Sequence, residues 1–282
     1  MAIVMFLVKM KVRKPAVVYM LNLATADVLL IGVLPFYIVY RFSGSHWLFG
    51  EGMCRFFMAA YYCNMYCSSL LMTSISVDRF LAVVYAVRSL PWRSVKRAWL
   101  VCGVIWVISL ASTVPLLIRK QTWTFPVLDI PICQDYQHFE GDLYFIYFIY
   151  AFSLFIFLPL LMTTFCYIGI IRSLSRSQFD VTHKRSRAIR LSVVVLCVFV
   201  LCFGPTNVIY LIHYLWSVTY GHLPLYIAYV LCLGISSINC CLDPLIYYFG
   251  SSQCQRYVCS LLGRKKDYRP PVEQMSVSST GV

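Results

Sequence analysis

Long apolar runs dominate this sequence and limit the folds that it can adopt. Six of them reach the roughly 20 residues that a helix needs to cross a bilayer, and they lie at residues 16–40, 52–84, 98–118, 143–171, 189–215 and 223–249. The chain is 60% hydrophobic and only 12% charged, whereas soluble domains carry about 25% charged residues. The sequence therefore predicts an all-α membrane protein.

A shorter apolar stretch, residues 1–8, precedes the six runs. It has no positive residue ahead of it and no small-residue cleavage site, so it does not resemble a signal peptide. We interpret it as part of a further helix whose first half is missing, which makes residues 1–249 a seven-transmembrane helix bundle with an incomplete first helix. We also expect a short amphipathic eighth helix at residues 250–262 and a disordered cytoplasmic tail at residues 263–282.

Positive charge alternates between the two sides of this predicted bundle. On one side, the only Lys and Arg residues of the chain's 24 are Arg41, Arg55, Arg119 and Lys120. Cytoplasmic connections of membrane proteins carry the excess of Lys and Arg. We therefore expect a multi-pass plasma-membrane protein with an extracellular N-terminal side and a cytoplasmic C-terminus. The net charge of +13 suits the headgroups of anionic membrane lipids rather than nucleic acid.

Most of the 13 cysteines lie within the apolar runs, where a free thiol behaves as a small hydrophobic group. Cys54 and Cys133 differ, because both fall on the predicted outer side. That side is oxidising, so the two thiols can form a disulfide; the alternative is that they are unrelated. At the other end of the chain, Cys254 and Cys259 lie in the amphipathic stretch and are candidates for lipidation.

Two carboxylates, Asp27 and Asp243, lie in the middle of apolar runs, where a charge usually has a functional role. With Ser68 and Asn239 as neighbours they could share a sodium ion or a proton, since carboxylate and hydroxyl oxygens are ordinary ligands of hard cations. The alternative is a neutral, hydrogen-bonded Asp that fixes helix packing. Pro244 follows Asp243 directly and cannot donate its backbone hydrogen bond, which predicts a hinge.

The inner end of the run at residues 52–84 carries the adjacent pair Asp78 and Arg79. We expect the carboxylate to hold the guanidinium until a partner protein binds there, although a juxtamembrane Arg that reaches toward the interface would look the same. Arg79 lies 25 residues after Cys54, roughly 37 Å along a helix. One helix would therefore link an outer cysteine to an inner ion pair, which is a layout suited to signalling across the membrane.

Three other features predict a moving helix and an outer binding site. Phe199 and Phe203 share a helix face beside Pro205, which indicates a bent lever. Tyr247 lies one turn beyond Asp243 and can swing toward Arg79 and Tyr167. Near the outer ends of the helices lie candidate ligand-binding residues, which would suit a peptide with an ammonium or Arg group or form an interfacial aromatic belt: Tyr62, Asp135, Glu140, Phe148, His213, Tyr214, Tyr226 and Tyr229.

Taken together, these motifs resemble the class A (rhodopsin-like) G-protein-coupled receptors over nearly the whole chain. The features that carry the resemblance are NLATAD, Trp47, Cys54, DRF in place of the usual DRY, Trp106, Pro159, Tyr167, CFGP and DPLIY. The resemblance is closer to the protease-activated receptors of the thrombin-receptor type, in the segments KPAVVYMLNLATADVL, FSGSHWLFG, CRFFMAAYYCNMY, DRFLAVVY, CFGPTNV, SSINCCLDPLIYYF and SSQCQRYV.

The resemblance implies a receptor without enzymatic activity. It implies activation by a tethered peptide that an extracellular serine protease such as thrombin unmasks, and signalling through heterotrimeric G proteins, with receptor kinases and arrestin as further partners. It places the outer residues named above, except Asp135, at ligand-binding positions, and Asp27 and Ser68 at an allosteric sodium site. No other cofactor is implied.

The chain departs from the family pattern at a few positions. Phe80 follows Asp78-Arg79 where most of the class has Tyr, Phe203 replaces a Trp, and Gln134 replaces a His that follows the loop cysteine in relatives. Two rival readings stay open. One is a receptor for a soluble basic peptide; the other is a transporter or channel.

Overall fold

The computed structural model describes residues 14–125, 130–133, 142–176, 193–202 and 234–250 and, between the last two ranges, residues 204–205, 208–209, 212 and 231. Helix α1 spans Pro15–Phe42, α2 spans Gly50–Val84 and α3 spans Val95–Ile118. The residues at the N-termini of α1 and α3 explain where these helices begin. Pro15 occupies the first turn of α1, where a missing N–H costs nothing, and the Ser94 hydroxyl caps α3 by accepting from the Arg97 N–H.

A short antiparallel hairpin follows α3 on the outer side of the predicted bundle. Strand β1 spans Thr122–Phe125 and strand β2 spans Ile130–Cys133. Their register sets Thr122 opposite Cys133. The all-α bundle expected from the apolar runs therefore carries one small sheet in its longest outer connection.

The next run forms one helix that contains a single wide turn. Helix α4 spans Asp142–Phe152, a π-helical turn spans Ser153–Phe157 and α5 spans Leu158–Arg176. Within the turn the Leu158 N–H donates to the Ser153 carbonyl, five residues back. The wide turn ends just before Pro159, which has no N–H to continue the regular ladder.

Parts of the last two predicted spans are described. Helix α6 spans Val193–Cys202, and α7 spans Asn239–Gly250. A turn at Ile238 separates α7 from the helical residues 234–237. The Ile238 N–H bonds to the Ile235 carbonyl at 3.1 Å, so the last apolar run is interrupted one turn before Asp243. Pro244 lies inside α7, which continues past it.

Four helices in the described part of the chain are long and apolar enough to cross a membrane: Pro15–Phe42, Gly50–Val84, Val95–Ile118 and Ile149–Ser173. They match the first four long runs predicted from the sequence. The outward faces fit this placement, since Leu100, Val107 and Ile118 of α3 are more than half exposed where lipid would cover them. The predicted partial helix at residues 1–8 and the segments 251–262 and 263–282 lie outside the described residues.

Helix α2 lies at the centre and packs against α1, α3 and α5. The main core includes the fully buried Leu71, Met72 and Ile75 of α2, together with Phe155 and Phe199. A separate link joins α1 to α3, where the Trp106 indole N–H donates to the Asn22 side-chain oxygen at 3.0 Å. Because no water competes for such groups inside a bilayer, this bond fixes the two helices relative to each other.

Gly169 of α5 packs directly against a side chain of α2. A Cβ at this position would overlap the ring of Phe80, which also contacts the rings of Phe165 and Tyr85 at centroid distances of 5.7 Å and 5.8 Å. We expect Gly169→Ala to lower the free energy of unfolding by about 1–3 kcal/mol through overpacking, measured by thermal unfolding of the purified protein in detergent.

Gly103 of α3 provides the matched control, because a Cβ there meets no atom within 4 Å. Gly103→Ala should unfold at or above the wild-type temperature, since Ala favours the helix. Equal unfolding temperatures for Gly169→Ala and the wild type would show that α5 does not depend on this contact.

Candidate functional site

The outer end of α2 is joined covalently to the hairpin. Cys54 in the first turns of α2 forms a disulfide with Cys133 at the end of β2, with Cα atoms 5.6 Å apart. Both cysteines are fully buried. This confirms the predicted pair and excludes the alternative of two unrelated thiols.

The predicted ligand-binding residues are only partly within the described chain. Tyr62 of α2 is half-buried and lies edge-on to Tyr61, with ring centroids 5.4 Å apart. The remaining candidates lie outside the described residues, or have side chains that do: Asp135, Glu140, Phe148, His213, Tyr214, Tyr226 and Tyr229.

A series of rings leads from Tyr62 into the core. The Tyr62 ring contacts Tyr66 at 5.9 Å, and Tyr66 stacks on Phe155 of the wide turn at 4.0 Å. The hydroxyls of Tyr66 and Tyr147 lie 3.3 Å apart, and the Tyr147 hydroxyl donates to the Ser112 carbonyl at 2.8 Å. The outer candidate site is therefore in contact, ring by ring, with the core residues that surround Phe199.

Ser69 of α2 compensates for the proline in the next helix. In a regular helix the N–H of residue 159 would bond to the carbonyl of Phe155, but Pro159 has none. The Ser69 hydroxyl donates to that carbonyl instead. Ser69 is fully buried, so this bond joins α2 to the wide turn at the base of the aromatic series.

The two intramembrane carboxylates meet, as the sequence suggested. Asp27 of α1 and Asp243 of α7 are buried, and their carboxyl groups lie close enough to interact with each other. The Asn239 amide donates to Asp243 Oδ2 at 3.2 Å. Two carboxylates held together away from water need a counter-charge, which a proton or a cation can supply.

The oxygen atoms around this pair suit a small hard cation. Ser68 of α2, which the sequence predicted as a further ligand, is fully buried and accepts from the Asn64 amide at 3.5 Å. No described residue donates to Asn239 Oδ1 or to Asp243 Oδ1, and both atoms are buried. Carboxylate, hydroxyl and amide oxygens are the ligand types that such an ion takes, so the residues present fit sodium.

At the inner end of α2, the carboxylate of Asp78 pairs with a different arginine from the one expected. Arg93, in the connection to α3, donates from Nε to Asp78 Oδ1 at 2.9 Å and from Nη2 to Oδ2 at 3.2 Å. Asp78 is 5% exposed. A two-point bond between a buried carboxylate and a planar guanidinium fixes both groups, so the loop residue, rather than the neighbouring Arg79, holds this carboxylate.

The other predicted switch residues are described only in part. The Tyr167 hydroxyl of α5 lies 2.7 Å from the Ser76 hydroxyl of α2, and Phe199 of α6 is buried in the main core. Pro205 lies in a helical stretch. Phe203, the side chain of Tyr247, and the lipidation candidates Cys254 and Cys259 lie outside the described residues.

Sequence reasoning missed several partners of the predicted residues. Ser69, Ser76 and Arg93 each bond to a group on another segment. One of these partners could have been predicted from the sequence. Pro159 has no N–H, so the carbonyl four residues earlier lacks its helical donor and needs another one. The bond between Asp78 and Arg93 had no comparable signal, since the charge pattern offered the adjacent Arg79 first.

Comparison with known proteins gives a family over almost the whole chain. A family model described as 7 transmembrane receptor (rhodopsin family) matches residues 1–247. The Proteinase-activated receptor 1 of Xenopus laevis is 56% identical over 284 residues, which cover 100% of this chain and 67% of the relative.

Two human proteins show the same relationship. Proteinase-activated receptor 1 of Homo sapiens is 54% identical over 275 residues, covering 96% of this chain and 64% of the relative. Proteinase-activated receptor 2 of Homo sapiens is 36% identical over 288 residues, covering 99% and 71%. The chain thus spans about two thirds of the length of these relatives.

Removal of the Ser69 hydroxyl tests the link between α2 and the wide turn. Ser69→Ala leaves the Phe155 carbonyl without its donor, and we expect a loss of about 1 kcal/mol, typical of hydrogen bonds between membrane helices. Thermal unfolding in detergent measures it. In the control Ser74→Ala, the lost hydroxyl bonds only to the Leu70 carbonyl of its own helix, so the unfolding temperature should hold. Equal shifts in the two variants would contradict the assignment.

Proposed function

This chain belongs to the rhodopsin family of seven-transmembrane receptors and, within it, to the proteinase-activated receptors, and we propose that a tethered peptide exposed by an extracellular protease activates it. It is a multi-pass membrane receptor of the thrombin-receptor type and not an enzyme. We propose further that thrombin is the protease and that the activated receptor signals through heterotrimeric G proteins at the plasma membrane.

One observation carries the mechanistic part of this proposal. Helix α2 is continuous over 35 residues. Near one end Cys54 holds the outer hairpin, and near the other end lie Asp78, which pairs with Arg93, and Arg79. A single rigid element therefore contacts both faces of the bundle, so a change at the outer face has a direct mechanical route to the inner one.

On the outer face, the exposed peptide would bind against Tyr62 and the acidic side chains of the outer loop, Asp135 and Glu140. The remaining aromatic candidates would close over it. Displacement of Tyr62 would then shift Tyr66, which it contacts, and Phe155, which stacks on Tyr66. Phe155 and Phe199 belong to the same core, so this series offers a route to α6.

On the inner face, we interpret the pairing of Asp78 with Arg93 as part of the resting state of the receptor. Arg93 holds the carboxylate, and Ser76 holds the Tyr167 hydroxyl. Outward movement of α6 about Pro205, with Tyr247 turning toward Arg79 and Tyr167, would open a cavity at Arg79 for the G protein. Receptor kinases and arrestin would act on the same cytoplasmic side.

The carboxylate pocket would regulate this movement. When bound, a sodium ion would supply the counter-charge that Asp27 and Asp243 need, with Ser68 and Asn239 as further oxygen ligands. Because α1 and α7 both contribute carboxylates, the filled pocket holds these helices together and favours the resting state. The break at Ile238 and the proline at 244 leave α7 able to shift when the pocket empties.

Protease dependence is tested with the full-length receptor expressed from its complete coding sequence and reconstituted with purified heterotrimeric G proteins. We expect thrombin to stimulate guanine-nucleotide exchange at least tenfold (roughly 1.4 kcal/mol), and thrombin with a blocked active site to have no effect. A protein carrying Cys54→Ser should respond weakly, because its hairpin has lost the covalent link.

The alternatives give different results in the same system. Activation by soluble basic peptides without any cleavage would replace the tethered-ligand proposal by a conventional peptide receptor. Ion flux through proteoliposomes that contain the purified protein, in the absence of nucleotide exchange, would replace the receptor by a channel or transporter.

Sodium binding is tested separately from activation. We expect the unfolding temperature of the wild type to rise with sodium chloride relative to equal N-methyl-D-glucamine chloride, since an ion that binds only the folded state stabilises it. Thrombin-stimulated exchange should weaken about fivefold in sodium, the lower range of allosteric coupling. Asp243→Asn should abolish both effects, while Ser74→Ala, whose hydroxyl bonds to the Leu70 carbonyl of its own helix, should keep both. If the sodium effects persist in Asp243→Asn, the ion does not bind at this site.

A further inference from the structure

The carboxylate of Glu51, in the first turn of α2, accepts four hydrogen bonds, three of them from residues about 70 positions away in the chain. Its Oε1 accepts from the Arg55 Nε at 2.6 Å and from the Gln121 backbone N–H at 2.8 Å. Its Oε2 accepts from the Thr122 backbone N–H at 2.9 Å and from the Thr122 hydroxyl. A carboxylate has about four acceptor positions, and all of them are used here.

Glu51 and the disulfide fasten the same point of the hairpin from two sides. Thr122 and Cys133 are cross-strand partners at the base of the hairpin. Cys133 is bonded to Cys54, and Thr122 is bonded to Glu51, which lies three residues before Cys54 and so on the same face of α2. Both members of one cross-strand pair are therefore attached to a single turn of one helix.

Other bonds tie the same place to α3 and to the loop before α2. The Arg55 Nη1 donates to the Leu117 carbonyl at 3.3 Å, and the Gln121 side chain donates to the Leu116 carbonyl at 3.1 Å. These carbonyls belong to the last turn of α3, which has no helical donors left. The Trp47 N–H donates to the Pro131 carbonyl of β2 at 2.7 Å.

A purely local role for Glu51 explains only part of this geometry. An acidic residue in the first turn of a helix complements its dipole, and a pair with Arg55 at i+4 adds a few tenths of a kcal/mol. Neither effect needs the backbone N–H groups of residues 121 and 122, which lie 70 and 71 positions away. Those two N–H groups point the carboxylate at the start of β1.

We propose that Glu51 is a positioning residue for the outer binding site: its carboxylate sets the orientation of the hairpin over the bundle. The disulfide limits how far the hairpin can move but leaves rotation about its single bonds. The three hydrogen bonds that Glu51 accepts from residues 121 and 122 remove that rotation. This inference rests on the proposed function in one respect, the binding of a peptide at the outer face. The attachment of the hairpin by Glu51 does not depend on the proposed function.

Glu51→Gln is the sharpest variant, because it keeps the shape of the side chain. A Gln amide has one oxygen and a donating NH₂ group, so one of the two backbone N–H groups at the start of β1 faces another donor. Arg55→Gln is the matched control. It removes the ion pair, whose two side chains are about one third exposed, together with the bond to the Leu117 carbonyl, and leaves three of the Glu51 bonds in place.

The first readout is hydrogen exchange of the backbone amides of Gln121 and Thr122 in the full-length receptor. In Glu51→Gln at least one of the two should exchange at least tenfold faster, the equivalent of a lost hydrogen bond to a charged group. Arg55→Gln should stay close to the wild type, and the unfolding temperature of both variants should change little. If amide hydrogen exchange in Glu51→Gln equals that of the wild type, the proposal is wrong, independently of which ligand the receptor binds.

The second readout is the concentration of agonist that gives half-maximal nucleotide exchange. The probe is a synthetic peptide that copies the N-terminus exposed by thrombin, identified by sequencing the cleaved receptor. Glu51→Gln should need roughly tenfold more peptide at an unchanged maximal response. Faster amide exchange with an unchanged half-maximal concentration would reduce Glu51 to a structural role and overturn the positioning claim. If thrombin exposes no activating peptide, the proposed function fails while the exchange experiment still decides the attachment.

Discussion

Within a bilayer no water is at hand to satisfy buried polar groups, so each of them must find its partner inside the protein. The architecture of this chain follows from that constraint. The carbonyl that Pro159 leaves without a helical donor is bonded by Ser69 of α2. The Asn22 amide of α1 is bonded by Trp106 of α3, and the Tyr167 hydroxyl of α5 by Ser76 of α2. Each of these polar bonds fixes one helix to another, and apolar packing fills the space between.

The same requirement explains why the functional groups lie at helix contacts. Asp27 and Asp243 would each be costly alone, but they lie together between α1 and α7, and Asn239 donates to one of them. Such a pair holds the two helices together only while its charge is balanced. Its state and the packing of the helices are therefore coupled without any further device.

The amino-acid sequence predicted the spans, the disulfide and the meeting of the two carboxylates, because each depends on a strong local signal. The length of an apolar run identifies a membrane span, and a carboxylate inside such a span needs a polar or charged partner. It did not predict that Asp78 would pair with Arg93 or that Glu51 would bind the start of β1. Both are contacts between segments 15 or about 70 residues apart, and their geometry depends on how loops return to the bundle, which no periodic pattern records. An acidic residue in the first turn of a helix, such as Glu51, needs no partner beyond the helix dipole, so nothing in the sequence indicates this contact.

The length of α2 has a consequence of its own. Its 35 residues correspond to roughly 52 Å of helix, while the hydrocarbon layer is about 30 Å thick. Even when it is tilted, the helix reaches beyond that layer, so a rigid rod joins two aqueous compartments. If it pivots near its middle, a rotation of only about 5° carries each end sideways by about 2 Å, given the helical rise per residue. Displacements of that size are enough to exchange one set of hydrogen-bond partners for another at both ends at once.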